Sequence, residues 1–204
     1  MTNRPPVIAH HIILTGYGHW LPNDPRGSMS VDVYAPEIAD LARRHFGRKA
    51  IQPSQEELRA FYREAERRLF YDILWFNSAE RQAVADALGE GIRNEGLTCY
   101  ACSVLSDHVH VLIRRHRLKG EEMSALLKEA GRRRIGAMRS IPQAHPVFSA
   151  GACHLFKSTP PSVRTCIRYI EQQHRKHRLP PVDCPFVAPY DDWPFHKKAR
   201  PKSP

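Results

Sequence analysis

A chain of 204 residues with 42% hydrophobic content and a formal net charge of +10 can fill one core and carry an arm or tail besides. No stretch of about 18 apolar residues is present to cross a bilayer, and the N-terminal MTNRPPVIAHHIIL lacks the apolar run and cleavage site of a signal peptide, so a soluble, cytoplasmic protein is expected. The charge is uneven: residues 1–100 hold 12 Lys/Arg against 13 Asp/Glu, and residues 101–204 hold 19 against 8.

The basic runs are IRRHRLK (113–119), GRRRIGAMR (131–139), HRKHR (174–178) and HKKARPK (196–202). Four runs in one half are the footprint of a polyanion, most often nucleic acid. Five cysteines, odd in number and irregularly spaced, argue for reduced thiols.

VIAHHIILT (7–15) is β-branched and apolar and predicts a first strand, ended by Gly16 and Gly18. GYGHWLPNDPRGS (16–28) has turn chemistry and predicts a long ordered loop, with Tyr17 and Trp20 anchoring it on the body in preference to stacking on a base. PEIADLARRHF (36–46) predicts a short helix. Ser54-Gln-Glu-Glu57 is a capping box, and Leu58, Phe61, Ala65, Leu69 and Ile73 then recur at helical spacing, which predicts a helix over 55–75. Asn77 and Glu80 repeat the cap for a helix over 78–94, with Val84, Leu88 and Ile92 as its stripe.

LTCYACSVLS (97–106) and HVHVLIRR (108–115) predict two strands joined through Ser106-Asp107 as an antiparallel hairpin. Cys99 and Cys102 form a CxxC with no second pair. On a strand they would face opposite sides, which suits packing better than chelation. EEMSALLKEAGRRRIGAMRS (121–140) predicts a helix, and PVFSAGACHLFKST (146–159) one or two short strands. Thr159 before Pro160-Pro161 reads as an N-cap for a last helix running through SVRTCIRYIEQQHRKHR. From Pro180 the chain is Pro-rich and basic, an extended tail docked by Phe186, Trp193 and Phe195. This order predicts an α+β fold with a ferredoxin-like antiparallel β-sheet and helices packed on it. One domain would cover 1–180, with 16–76 a loop and helical insertion, and a C-terminal tail 181–204.

In SDHVHVLIRR, His108, His110 and Leu112 share one face of a strand, and Val109, Val111 and Ile113 the other. Two neutral imidazoles side by side form half of a metal site; the plainer reading is a pair of half-buried histidines on an edge strand, and spacing alone leaves both open. In the last helix Tyr169 and Gln173 are four apart and share a face. Gln173 offers a carbonyl oxygen that suits a hard ion such as Mg²⁺ or Mn²⁺, and the Tyr169 hydroxyl can reach toward a sheet. The plainer reading makes Tyr169 a rim residue of the core and Gln173 a surface amide.

His108-Val-His110 preceded by Ser-Asp, with a downstream helix bearing Tyr169-Ile-x-x-Gln173, resembles the single-tyrosine HUH (histidine, hydrophobic, histidine) transposases of the insertion-sequence 200/605 group and their REP-associated relatives. The resemblance covers about residues 7–15 and 78–178. It implies His108, His110 and Gln173 as ligands of Mg²⁺ or Mn²⁺, with Tyr169 as nucleophile. The reaction it implies is cleavage and rejoining of single-stranded DNA beside a hairpin through a 5′-phosphotyrosine. Arg114, Arg115, Arg132, Arg133, Arg134, Arg168, Arg175 and Lys176 are then expected on the DNA. The protein would be nucleoid-associated, as a homodimer or a monomer. Two other readings stand beside it: a non-catalytic DNA or RNA hairpin-binding protein derived from such an enzyme, and a metal-dependent phosphodiesterase that uses water.

Overall fold

The computed structural model describes residues 6–31 and 35–195, and the basic run 196–202 lies outside them. The apolar first strand forms β1 (Ala9–Thr15) at the centre of a sheet. It pairs with β3 (His108–Arg114) on one side and β4 (Cys153–Lys157) on the other, and β2 (Cys99–Val104) pairs with the far side of β3. Every pairing is antiparallel, in the order β2, β3, β1, β4. With helices between β1 and β2 and between β3 and β4, this is the expected α+β, ferredoxin-like arrangement.

Side chains alternate along a strand, so the sheet has two different faces. Ile12, Leu14, Val109, Val111 and Ile113 pack under α2 (Ser78–Asn94) and α3 (Gly120–Arg139) against Val84, Leu88, Ile92, Met123, Leu127 and Ile135. Each contributes about 1.5–3 kcal/mol on full burial, so this layer carries most of the stability. On the other face Ala9, Ala101 and Leu112 meet Val163, Cys166 and Ile170 of α4 (Pro160–Glu171). That layer is smaller, and polar groups occupy the rest of its sheet face.

The helix starts follow their sequence signals. Ser54 caps α1 (Gln55–Arg68) and Asn77 caps α2, each in a reciprocal pair with the glutamate three residues on. Thr159 caps α4.

Other expectations need correction. The helix expected over 36–46 is a single 3-10 turn, Pro36–Ile38, since Ala35 offers no capping side chain and Ile38 is its one buried residue. α1 stops at Arg68 instead of reaching 75, because Leu74 and Phe76 belong to the main core and an extended chain delivers them there. Gln172 interrupts the last helix and separates α4 from α5 (Gln173–Lys176). Cys99 and Cys102 do not face opposite sides: a bulge between Cys99 and Ala101 shifts the register, so Cys99 pairs with Ile113 and Cys102 with Val111. Both thiols pack in the layer under α2, and burial pushes Cys99 up to about 12.

The segment after Pro180 is extended and straps the outer edge of β2. The Ala188 N–H donates to the Cys99 carbonyl at 2.8 Å, Phe186 packs on the main layer, and Tyr190 and Trp193 pack on the α4 layer. Phe195, expected to dock, is exposed. Arg81 of α2, with 2% of its surface exposed, ties this strap to the sheet. Its guanidinium donates to the carbonyls of Val104 at 2.9 Å and Pro180 at 2.7 Å.

Candidate active site

In the β1 and β3 register Thr15 stands opposite His108 and Ile13 opposite His110, so both imidazoles lie on the α4 face, as alternation requires. Both are buried. Their Nε2 atoms are 3.1 Å apart. His11 of β1 shares the face, with its Nε2 2.9 Å from His110 Nδ1. At the other end Asp107 Oδ1 lies 2.7 Å from His108 Nδ1. Asp107, His108, His110 and His11 therefore form one hydrogen-bonded row.

The row has a direction. A carboxylate only accepts, so His108 carries a proton on Nδ1 and presents Nε2 as an acceptor; with neutral rings His110 donates from Nε2 and accepts at Nδ1 from His11. Burial, reinforced by the neighbouring histidines, holds His110 far below the ordinary imidazole range, to about 2. Burial, with Lys157 adding to it, holds His11 down to about 4. Both rings are thus neutral at pH 7, the form that donates a lone pair to a metal. Burial alone would raise Asp107, but the hydrogen bond from His108, with the histidines around it, outweighs that and keeps the carboxyl below its usual value.

These residues fit a divalent cation. Ligands about 2.1 Å from an octahedral centre stand about 3.0 Å apart along an edge, close to the 3.1 Å between the two Nε2 atoms. His108 already presents its lone pair. His110 can do so by moving its proton to Nδ1 and donating to His11, whose own proton then moves from Nε2 to Nδ1, while the His108–His110 bond gives way to the ion. Among the described residues no group of three His, Cys, Asp or Glu side chains is arranged to hold an ion; beside the two imidazoles, the third donor expected from the sequence is an amide. That amide is Gln173, buried at 3% exposure, whose Nε2 donates to the Tyr169 carbonyl at 2.8 Å. Its oxygen is the atom that a hard ion would use.

Tyr169, in the last turn of α4, stands edge-on to the row. Its ring centre is 5.6 Å from that of His110 and 6.0 Å from that of His11. With 42% of its surface exposed, the phenol is open to a ligand from solvent. Lys176 of α5 places its ammonium 4.6 Å from the same ring centre, and His177 lies 5.4 Å from His108. One chain supplies every group.

The basic residues divide between layers. Arg114, Arg168, Arg175 and Lys176 sit on β3, α4 and α5 on the Tyr169 side. Of these, Arg114 is engaged with Asp191 and with the Trp193 ring. Arg132, Arg133 and Arg134 lie on α3, across the sheet, and pair with Glu129 or Glu90. Arg115, one residue beyond β3, is exposed and acts on His10 of the α2 and α3 face.

Sequence spacing alone does not single out His11, Asp107 or His177. The doubled histidine in VIAHHIILT was the available signal, but which of the two faces α4 depends on the β1 and β3 register. Asp107 directly precedes the pair and shows its role only once the hairpin is folded.

No family model and no curated relative matches the chain. Among solved structures, a REP-associated tyrosine transposase bound to a REP hairpin aligns with a TM-score of 0.44 at 8% identity, over 87% of this chain and 73% of the other. A candidate transposase from Deinococcus radiodurans R1 aligns with a TM-score of 0.38 at 17% identity, over 85% and 96%. Likeness at this level assigns no chemistry, which rests on the residues above.

Proposed function

We propose that the protein is a metal-dependent transposase and endonuclease that cleaves and rejoins single-stranded DNA beside a hairpin, with Tyr169 as nucleophile. The observation that carries this reading is the exposed Tyr169 ring 5.6 Å from His110, whose Nε2 is paired with that of His108. A purely binding protein needs neither the buried neutral imidazoles nor a phenol beside them.

His108, His110 and Gln173 would hold a Mg²⁺ or Mn²⁺ ion, which would supply charge neutralisation at the scissile phosphate. Tyr169 Oη attacks phosphorus: the Oη–P bond forms, the P–O3′ bond breaks, the phenol proton passes to solvent, and the departing 3′ oxygen takes a proton from solvent to become a hydroxyl. A phosphotyrosine diester replaces a phosphodiester, so a 3′ hydroxyl can reverse the step and join strands. Asp107 fixes the tautomer of His108, and His11 accommodates that of His110. Lys176, Arg168 and Arg175, on the helices of Tyr169, hold phosphates flanking the cut. The full site within one chain supports cleavage by a single subunit.

The test mixes protein, Mn²⁺ and an end-labelled single-stranded hairpin oligonucleotide and looks for a covalent adduct on a denaturing gel. Wild type gives the adduct and Tyr169→Phe gives neither adduct nor cleavage. Cleavage that persists in Tyr169→Phe without an adduct would establish water as the nucleophile and overturn the assignment. His108→Ala should lose cleavage while keeping most DNA affinity, since affinity comes chiefly from phosphate contacts.

A further inference from the structure

The loop 16–31 and the segment 70–76 carry no part of the chemistry above, yet they hold two exposed indoles and bond the hairpin that carries His108. Trp20 is 41% exposed and Trp75 57%. Trp20 also has φ +48°, a left-handed backbone that a bulky residue adopts only when its surroundings impose it, and such strain gathers at binding sites.

The surroundings do impose it. The Trp20 N–H donates to the Tyr62 hydroxyl at 3.0 Å, and the Arg26 guanidinium lies 3.7 Å over the indole. Arg26 is fixed in turn by Asp24, which is fully buried, accepting from Nε at 2.9 Å and Nη2 at 2.7 Å. Tyr62 donates to the same carboxylate at 2.6 Å. Trp75 rests edge-on upon buried His19, 4.3 Å between ring centres, and His19 Nε2 bonds the Leu74 carbonyl at 3.0 Å.

This construction is attached to the catalytic hairpin. The Gly16 N–H donates to the Asp107 carbonyl and the Phe76 N–H to the Ser106 carbonyl, both at 2.7 Å. These are the two residues before His108.

We infer that Trp20 and Trp75 form a stacking shelf for unpaired bases of the single strand next to the cut, an inference that rests on the function proposed above. Arg26, held by Asp24, lies on Trp20, and His19 lies against Trp75, so polar and aromatic groups frame both exposed π surfaces. Stacking on such surfaces tolerates any base sequence. Arg26 covers one face of Trp20, and its charge is already matched by Asp24. The shelf therefore adds stacking without adding a phosphate contact.

The test measures affinity by fluorescence anisotropy in EDTA for a hairpin with an unpaired flank and for the same hairpin cut blunt. Trp20→Ala and Trp75→Ala should each bind the flanked hairpin about ten-fold more weakly and the blunt one unchanged. Abasic substitutions along the flank, with wild-type protein, should find one or two positions that cost a similar factor, which tests the inference without any variant. An abasic scan that is flat, or Trp20→Ala binding as wild type, overturns it while leaving the adduct assay of Tyr169 untouched. Loss of self-association in sedimentation with unchanged DNA affinity would make the shelf a protein interface and also overturn it. Wild type that binds neither hairpin overturns both proposals.

Discussion

Acidification should unfold this protein through the imidazole row, and the size of the effect follows from burial. An unfolded histidine titrates at 6.5, whereas folded His11 titrates at about 4 and His110 lower still. As pH falls below 6.5 the unfolded chain takes up protons that the folded row refuses, so stability is full above that value and declines below it. For His11 the decline ends near pH 4. Between about pH 7.5 and about pH 5, each ring should cost about 2 kcal/mol, or about 4 kcal/mol together. Against a total of about 5–15 kcal/mol that is a large share. Urea unfolding in EDTA at the two pH values measures it, and the His11→Gln, His110→Gln double variant should lose that part of the slope. His10, His19, His145 and His154 are also held low by burial, but they are common to both proteins and cancel. Parallel pH curves for wild type and double variant would refute the reasoning.

Asp107→Ala frees the tautomer of His108 and should weaken Mn²⁺ binding about 10- to 100-fold by titration calorimetry, with DNA affinity in EDTA unchanged; equal Mn²⁺ affinity would leave Asp107 without a positioning role. Asp24→Ala strips Arg26 and Tyr62 of their buried acceptor and should lower unfolding stability by about 3–5 kcal/mol in urea. A loss near zero would mean that the 16–31 loop holds its shape by other contacts. Gly120→Ala places a methyl 2.6 Å from His154 Nδ1 at the start of α3. It should cost about 1–3 kcal/mol in a thermal melt, and a neutral result would show that the His154 ring swings aside.

The sheet was legible because β3 at its centre keeps period two throughout: His108, His110 and Leu112 fall on one face and Val109, Val111 and Ile113 on the other. The caps at Ser54, Asn77 and Thr159 were equally legible, being local chemistry. What sequence spacing does not carry is register between distant segments. His11 joins His110 only through a pairing 99 residues apart in the chain. The bulge at Cys99 likewise turns an expected two-faced pair into neighbours. Segment 70–76 reads as helix by its spacing and is extended because buried Leu74 and Phe76 take their places in the main core. The Asp24, Arg26 and Tyr62 cluster spans a loop and a helix, so none of the three stands out alone.

Arg81 sets a mechanical condition on everything near Tyr169. Its planar fork holds the end of β2 and the turn after α5 at once, from the opposite side of the sheet. Lysine, with one ammonium on a flexible stem, cannot reproduce two fixed directions. Under the proposed function, loosening that fork would let the α5 end drift relative to the sheet that carries the imidazoles, so Arg81→Lys should slow cutting from the far side of the sheet.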